Sequence, residues 1–409
     1  IQWVTVHTGL PFSEHRVFDL GDAHKLVAPR IWDLAMDAGK KVWICGSMNA
    51  AIRSKNAAGR GYFIPDPWCT GAPAAPKGMF DTFHTLTSRY VQEHTRSQAP
   101  WSKKDYLDFV LFMVRNGLSP RTLWEIFVQL AREVRSKGVK WRRATLLDRF
   151  QWDLFRHTWK KIRPDFSTFF LNSTAHFQHY HWREFEPQLF ASRPGMMKPE
   201  AKDAIRIGYQ NMDRIVQECM DMAPDATIVL MTALSQQPLL KYETVGGKFI
   251  FKPVDHRKLM QFAGVDAPYR FEPVMAEEYR LVFDDEATAA EAAGKLTALT
   301  LDGKPLLRAR QQGREIFGGC DVFLQPEDGA MIRSSATNRT GLFHDYFYQV
   351  DGVKSGGHHP DGIFWIRKPG APAGEKGKIP LLQAAEMLAG MIGVRFTRKS
   401  SDAALKVAS

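Results

Sequence analysis

Three histidines crowd six residues in the segment Asn172-Ser173-Thr174-Ala175-His176-Phe177-Gln178-His179-Tyr180-His181. Imidazoles at that spacing can ligate a transition metal or move protons. Interleaved with Phe177, Tyr180 and Trp182, they can equally cap a helix packed on a core. A second pair, His358 and His359, lies in Ser355-Gly356-Gly357-His358-His359-Pro360-Asp361-Gly362. Glycines permit close backbone approach and Pro-Asp-Gly is turn chemistry. The alternatives there are a rigid ligand-bearing loop and a plain turn with two exposed histidines.

What would position these residues is a set of short apolar runs rich in β-branched and aromatic residues: Lys41 to Cys45, Phe166 to Asn172, Ala226 to Thr232, and Gly362 to Ile366. Bounded by polar or turn residues, they read as buried strands. Ile205, Gly208, Met212, Ile215 and Cys219 follow a helical stripe, and Pro380 and Gly393 bracket a helix carrying Leu382, Ala385, Met387 and Leu388. Strands alternating with helices predict an α/β fold with a mainly parallel sheet sandwiched by helices. Ligands of such sheets bind at the carboxyl ends of strands. Asn172-Ser173-Thr174-Ala175-His176 follows one such end, and Thr232-Ala233-Leu234-Ser235 follows another.

Two insertions interrupt that plan. Residues 101–163 read as a helical, Trp-rich, basic cap and 269–328 as a small α+β unit with an alanine-rich helix from Ala287 to Leu299. That leaves 1–100, 164–268 and 329–398 as a discontinuous core and 399–409 as a tail. Gly71 to Gly78 and Pro369 to Lys378 read as linkers or lids. Of the net charge of +11, most is local: between Arg121 and Arg163, twelve Lys and Arg stand against four Asp and Glu. There Trp152, Phe155 and Trp159 form one aromatic helix face ringed by Arg149, Arg156, Lys160, Lys161 and Arg163. It is either a packed face under a solvated basic rim or a receptor for an anionic partner. Without a recognised nucleic-acid-binding motif, nucleic acid ranks last among such partners. The four cysteines are widely spaced and read as free thiols. Without an eighteen-residue apolar run or a visible signal peptide in Ile1 to Pro11, a soluble, cytoplasmic protein is expected.

Four motifs occur in the order of a known family: Thr5-Val6-His7-Thr8-Gly9-Leu10-Pro11 with Ser13-Glu14-His15; Asn172-Ser173-Thr174-Ala175-His176; His358-His359-Pro360-Asp361-Gly362; and Ile379-Pro380 to Gly393. The chain resembles the alkaline phosphatase superfamily in its type I phosphodiesterase and nucleotide pyrophosphatase branch. The resemblance covers the sheet portions and neither insertion. It implies a hydrolase of phosphoesters or phosphodiesters in which divalent cations, usually zinc with manganese as the alternative, clamp a phosphoryl group attacked by Thr or Ser. Its partner would be an anionic phosphate-containing small molecule or a lipid head group, and the nucleophile would lie upstream of Ile1.

Residue by residue, the carry-over is partial. The family's Asp-x-x-x-His pair falls on Asn172 and His176, and its later histidine on His358. An amide oxygen is neutral and binds a dication less well than a carboxylate. The family's Asp-His pair falls on Ala233 and Leu234, neither of which can bind a metal. The expected metal set is therefore Asn172, His176 and His358, one site at most, with His179, His181 and His359 as possible auxiliaries. A catalytically degenerate member, acting as a binding or structural protein, is the alternative.

Overall fold

The computed structural model describes residues 2–18, 22–69, 72–93, 102–191, 197–274, 278–350, 352–375 and 377–396. The tail expected at 399–409 lies outside these. The most deeply buried strand is Val42–Cys45, whose four residues are all covered. It pairs in parallel with Gly61–Ile64 on one side (Val42 opposite Gly61) and with Phe166–Phe169 on the other (Val42 opposite Phe166). Alternation along that strand separates two cores. Trp43 and Cys45 pack with Trp152, Phe155 and Phe80, whereas Val42 and Ile44 pack with Trp32, Met36 and Ala389. Helices Arg143–Ile162 and Ile31–Asp37 thus cover opposite faces, and the Trp43 indole N–H ties strand to helix by donating to the Phe155 carbonyl at 3.2 Å.

The expectation of a mainly parallel sheet is overturned, because among the described residues only these three strands run in parallel. Ile228–Met231 pairs antiparallel with Phe364–Arg367, and Ser235–Pro238 pairs antiparallel with Gly356–His359. Apolar runs between helices carry no label for pairing direction, and the partners of these strands come from more than a hundred residues away. Burial is also less than the buried strands expected from sequence: Phe166–Phe169 and Ile228–Met231 are half-buried throughout. Each has a pairing partner on one edge among the described residues.

Two four-stranded antiparallel sheets build the α+β region: one lies within 269–328, and the other joins Leu299–Leu301 and Lys304–Pro305 to Met331–Ser334 and Arg339–Leu342 beyond it. In one, Glu315–Cys320 lies between Leu307–Gln312 and Glu278–Val282. Its helix is Glu286–Thr297, where Asp285 caps the first turn by accepting from the Thr288 amide at 2.8 Å. Its apolar core extends beyond 269–328, from Phe251 to Phe347.

Candidate functional site

Phe166–Phe169 leads into the helix Ser173–Tyr180, with Asn172 at its N-cap. The Asn172 side chain does not cap the helix. That function falls to Asp148, reaching over from the helix Arg143–Ile162: its carboxylate accepts from the amides of Asn172 (3.2 Å) and Ser173 (3.3 Å) and from the Asn211 side-chain amide (3.1 Å). An acid at a helix N-terminus meets unpaired N–H groups and the positive end of the helix dipole. Burial dominates nonetheless, raising the Asp148 carboxyl from 3.8 to about 6. Sequence reasoning missed this residue; the signal was a carboxylate flanked by Leu147 and Arg149 in a basic, apolar helix.

The two histidine segments meet, and the seam between them is built mainly of backbone. The Ser355 amide donates to the His179 carbonyl at 2.8 Å. The His179 Nδ1–H donates to the Gly356 carbonyl at 3.1 Å, because a carbonyl can only accept. Ser355 Oγ accepts from the Trp182 amide at 3.0 Å and the Arg183 amide at 3.3 Å. Only glycine fits at position 356, since a Cβ there would stand 1.9 Å from the Gln178 carbonyl oxygen. A Cβ at Gly362 would likewise stand 2.0 Å from the Thr232 carbonyl oxygen. These glycines let the His358 strand approach the helix and the Ile228–Met231 strand.

At this seam His179 and His358 lie with ring centroids 5.2 Å apart. Strand register sets His358 opposite Gln236. Both nitrogens of His179 are engaged: with Nδ1 protonated, Nε2 accepts from the Gln236 side-chain amide at 3.0 Å. Burial, then the charge of Lys354, pushes the His179 pKa down to about 3, so this imidazole is neutral at physiological pH. Burial and Lys354 also lower that of His358. Lys354 and Gln236, which bear on these rings, were not singled out from sequence because each is an ordinary polar residue in a strand or loop.

The other proposed residues are dispersed. His176 precedes His179 by one helical turn and its ring lies 5.1 Å from that of Tyr180. His181 is buried, packed against Trp141 and Phe177, with Nδ1 3.8 Å from Glu184 Oε2. Strand alternation turns His359 to the face opposite His358, and its Nδ1 accepts from the Asp361 amide at 3.1 Å. Thr232 Oγ1 accepts from the Ile363 amide at 2.9 Å, Ala233 is buried, and the Thr8-Gly9-Leu10-Pro11 segment ends a helix packed on Leu381–Met391. Trp152 and Phe155 belong to the core, which settles the aromatic face as packing. Among the described residues, no three His, Cys, Asp or Glu side chains converge to hold a metal. The histidines therefore meet as a pair.

No family model matches this chain, and no curated protein is significantly similar to it.

Proposed function

We propose that this chain acts as a hydrolase of phosphoesters or phosphodiesters, similar to the phosphodiesterase and nucleotide pyrophosphatase branch of the alkaline phosphatase superfamily. The observation that carries the reading is the seam: the segments that carry two of the motifs, more than 170 residues apart and ordered as in that branch, are joined just outside those motifs by the His179–Gly356 and Ser355–His179 hydrogen bonds, beside a strand end. Asn172, His176 and His358 would supply one divalent cation, zinc or manganese, with an amide and two imidazoles. When bound, such a cation would screen phosphate oxygens. The fit is incomplete, because this donor set has no carboxylate and His179 already uses both nitrogens. No hydrolytic step is therefore derived through the cation. The chain's own contribution is a pair of predominantly neutral imidazoles and the cationic Lys354 at one seam.

A second reading, a phosphoester-binding protein without hydrolysis, is favoured by one observation: Ala233 and Leu234 occupy positions where that branch carries an Asp-His pair. The two readings separate on hydrolysis of bis(p-nitrophenyl) phosphate by the complete protein with added Zn²⁺ or Mn²⁺. The hydrolase reading expects turnover that His176→Ala and His358→Ala each reduce at least about tenfold. Turnover unchanged by both substitutions removes the site. Phosphoester binding without turnover selects the second reading.

A further inference from the structure

The helix Pro120–Arg135 is inside out. The residues it buries are Thr122 and Gln129, and the Gln129 side chain donates inward to Glu133 (2.8 Å) and to the Val139 carbonyl (3.0 Å). Among its outward residues is an apolar stripe: Leu123, Phe127, Leu130 and Val134 recur at helical spacing, with Trp124 stacked on Phe127 at 5.6 Å. Their exposure is large, 62% for Phe127, 63% for Trp124 and 90% for Val134. The preceding helix, Lys103–Arg115, exposes Leu107, Val110, Leu111 and Val114 in the same rhythm. An apolar stripe running about 16 Å along one helix is far more than scattered surface hydrophobes and marks an interaction face.

Charge selects the occupant. The two acids of the helix are turned inward: Glu133 pairs with Arg143 at 2.6 Å, and Glu125 pairs with Arg214 at 2.9 Å and with Arg149 at 3.8 Å. The exposed charges along its last turns and beyond are Arg132, Arg135, Lys137 and Lys140. A second copy of this chain would set that basic cluster against another equally basic face, with no outward carboxylate on the helix to meet it. An anionic bilayer surface complements both the stripe and its charge.

We propose that the Pro120–Arg135 helix docks the protein peripherally on an anionic lipid surface, its aromatic pair entering the interface and its basic end facing lipid phosphates. Among the described residues no helix is long and apolar enough to cross a membrane, which is consistent with lying on the surface. The inference does not rest on the hydrolase reading.

The test is co-sedimentation of the protein with phosphatidylcholine vesicles, with and without phosphatidylserine. Binding is expected only with phosphatidylserine and should weaken as salt is raised. Arg132→Ala/Arg135→Ala should lower partitioning about 25-fold, at roughly fivefold per basic residue near an anionic surface. Trp124→Ala/Phe127→Ala should lower it at least about tenfold through lost apolar insertion. All four side chains are exposed, so both variants should melt with the wild type; if one does not fold, the other decides. Absence of wild-type binding overturns the proposal, as does binding unchanged in either folded variant. A concentration-dependent dimer that Trp124→Ala/Phe127→Ala dissolves would identify a second copy as the occupant and overturn it too.

Discussion

Replacing Gly356 with alanine tests the seam between the histidine segments. The added Cβ would fall 1.9 Å from the Gln178 carbonyl oxygen and 2.7 Å from its carbonyl carbon. Both are backbone atoms of the Ser173–Tyr180 helix, so no side-chain rotation relieves the overlap. Strand and helix must separate, which breaks the Ser355 N–H bond to the His179 carbonyl and the His179 Nδ1–H bond to the Gly356 carbonyl. Two hydrogen bonds at about 1 kcal/mol each, with about 1–3 kcal/mol for forcing atoms into a packed contact, put the cost near 3–5 kcal/mol. A loss of 3 kcal/mol speeds exchange of an amide protected by that contact on the order of 100-fold. Urea unfolding measures the first quantity and hydrogen exchange at the Ser355 amide the second. Gly390→Ala is the control: nothing lies within 4 Å of its added methyl, it sits inside the helix Leu381–Met391, and it should stabilise by about 1 kcal/mol. Wild-type urea resistance and a still-protected Ser355 amide in Gly356→Ala would refute the seam.

Asp148→Ala should cost about 2–4 kcal/mol by leaving the Asn172, Ser173 and Asn211 donors unmet, with exchange rising first at the start of the Ser173–Tyr180 helix. Glu218→Ala should cost about 3–5 kcal/mol in urea unfolding, because Arg149, whose side chain is 2% exposed, would lose its 3.0 Å partner and the Trp152 indole N–H its acceptor. Buried histidines set the acid side of the stability curve. His7 and His179 titrate near 3 and His15 near 4 in the fold, all below the ordinary 6.5, so the unfolded chain takes up protons first and stability falls as pH drops below about 6.5. Asp66 and Asp148, raised to about 6, act with opposite sign, restoring stability from about pH 6 down to 3.8. Urea unfolding should therefore show the histidine loss between pH 6.5 and 6 and a shallower slope below. Stability rising from pH 6.5 to 6 would contradict the burial of these rings.

Much of the fold's local structure can be read in the sequence because it is written in period. The Val42–Cys45 strand, the Ala204–Met222 helix and the Glu286–Thr297 helix lie where apolar spacing sets them, within a few residues. The four cysteines are free, as their spacing suggests. Pairing direction could not be read, because the residues of Ile228–Met231 say nothing of a partner at Phe364–Arg367. Which histidine faces His358 was also hidden. His176 follows the motif, but the turn of the helix brings His179 to the seam, where Gly356 permits contact. The outward apolar stripe of Pro120–Arg135 follows the same helical period as a core face would, so sequence alone could not tell which way it points.

The most direct measurement of the central claim is ¹⁵N NMR of the histidine rings in the complete protein during Zn²⁺ titration. The account predicts that His176 and His358 respond together, while His179, with both nitrogens bonded, and His181, packed on Trp141, keep their free-protein positions. A silent His358, or a His176 response that survives His358→Ala unchanged, would contradict it.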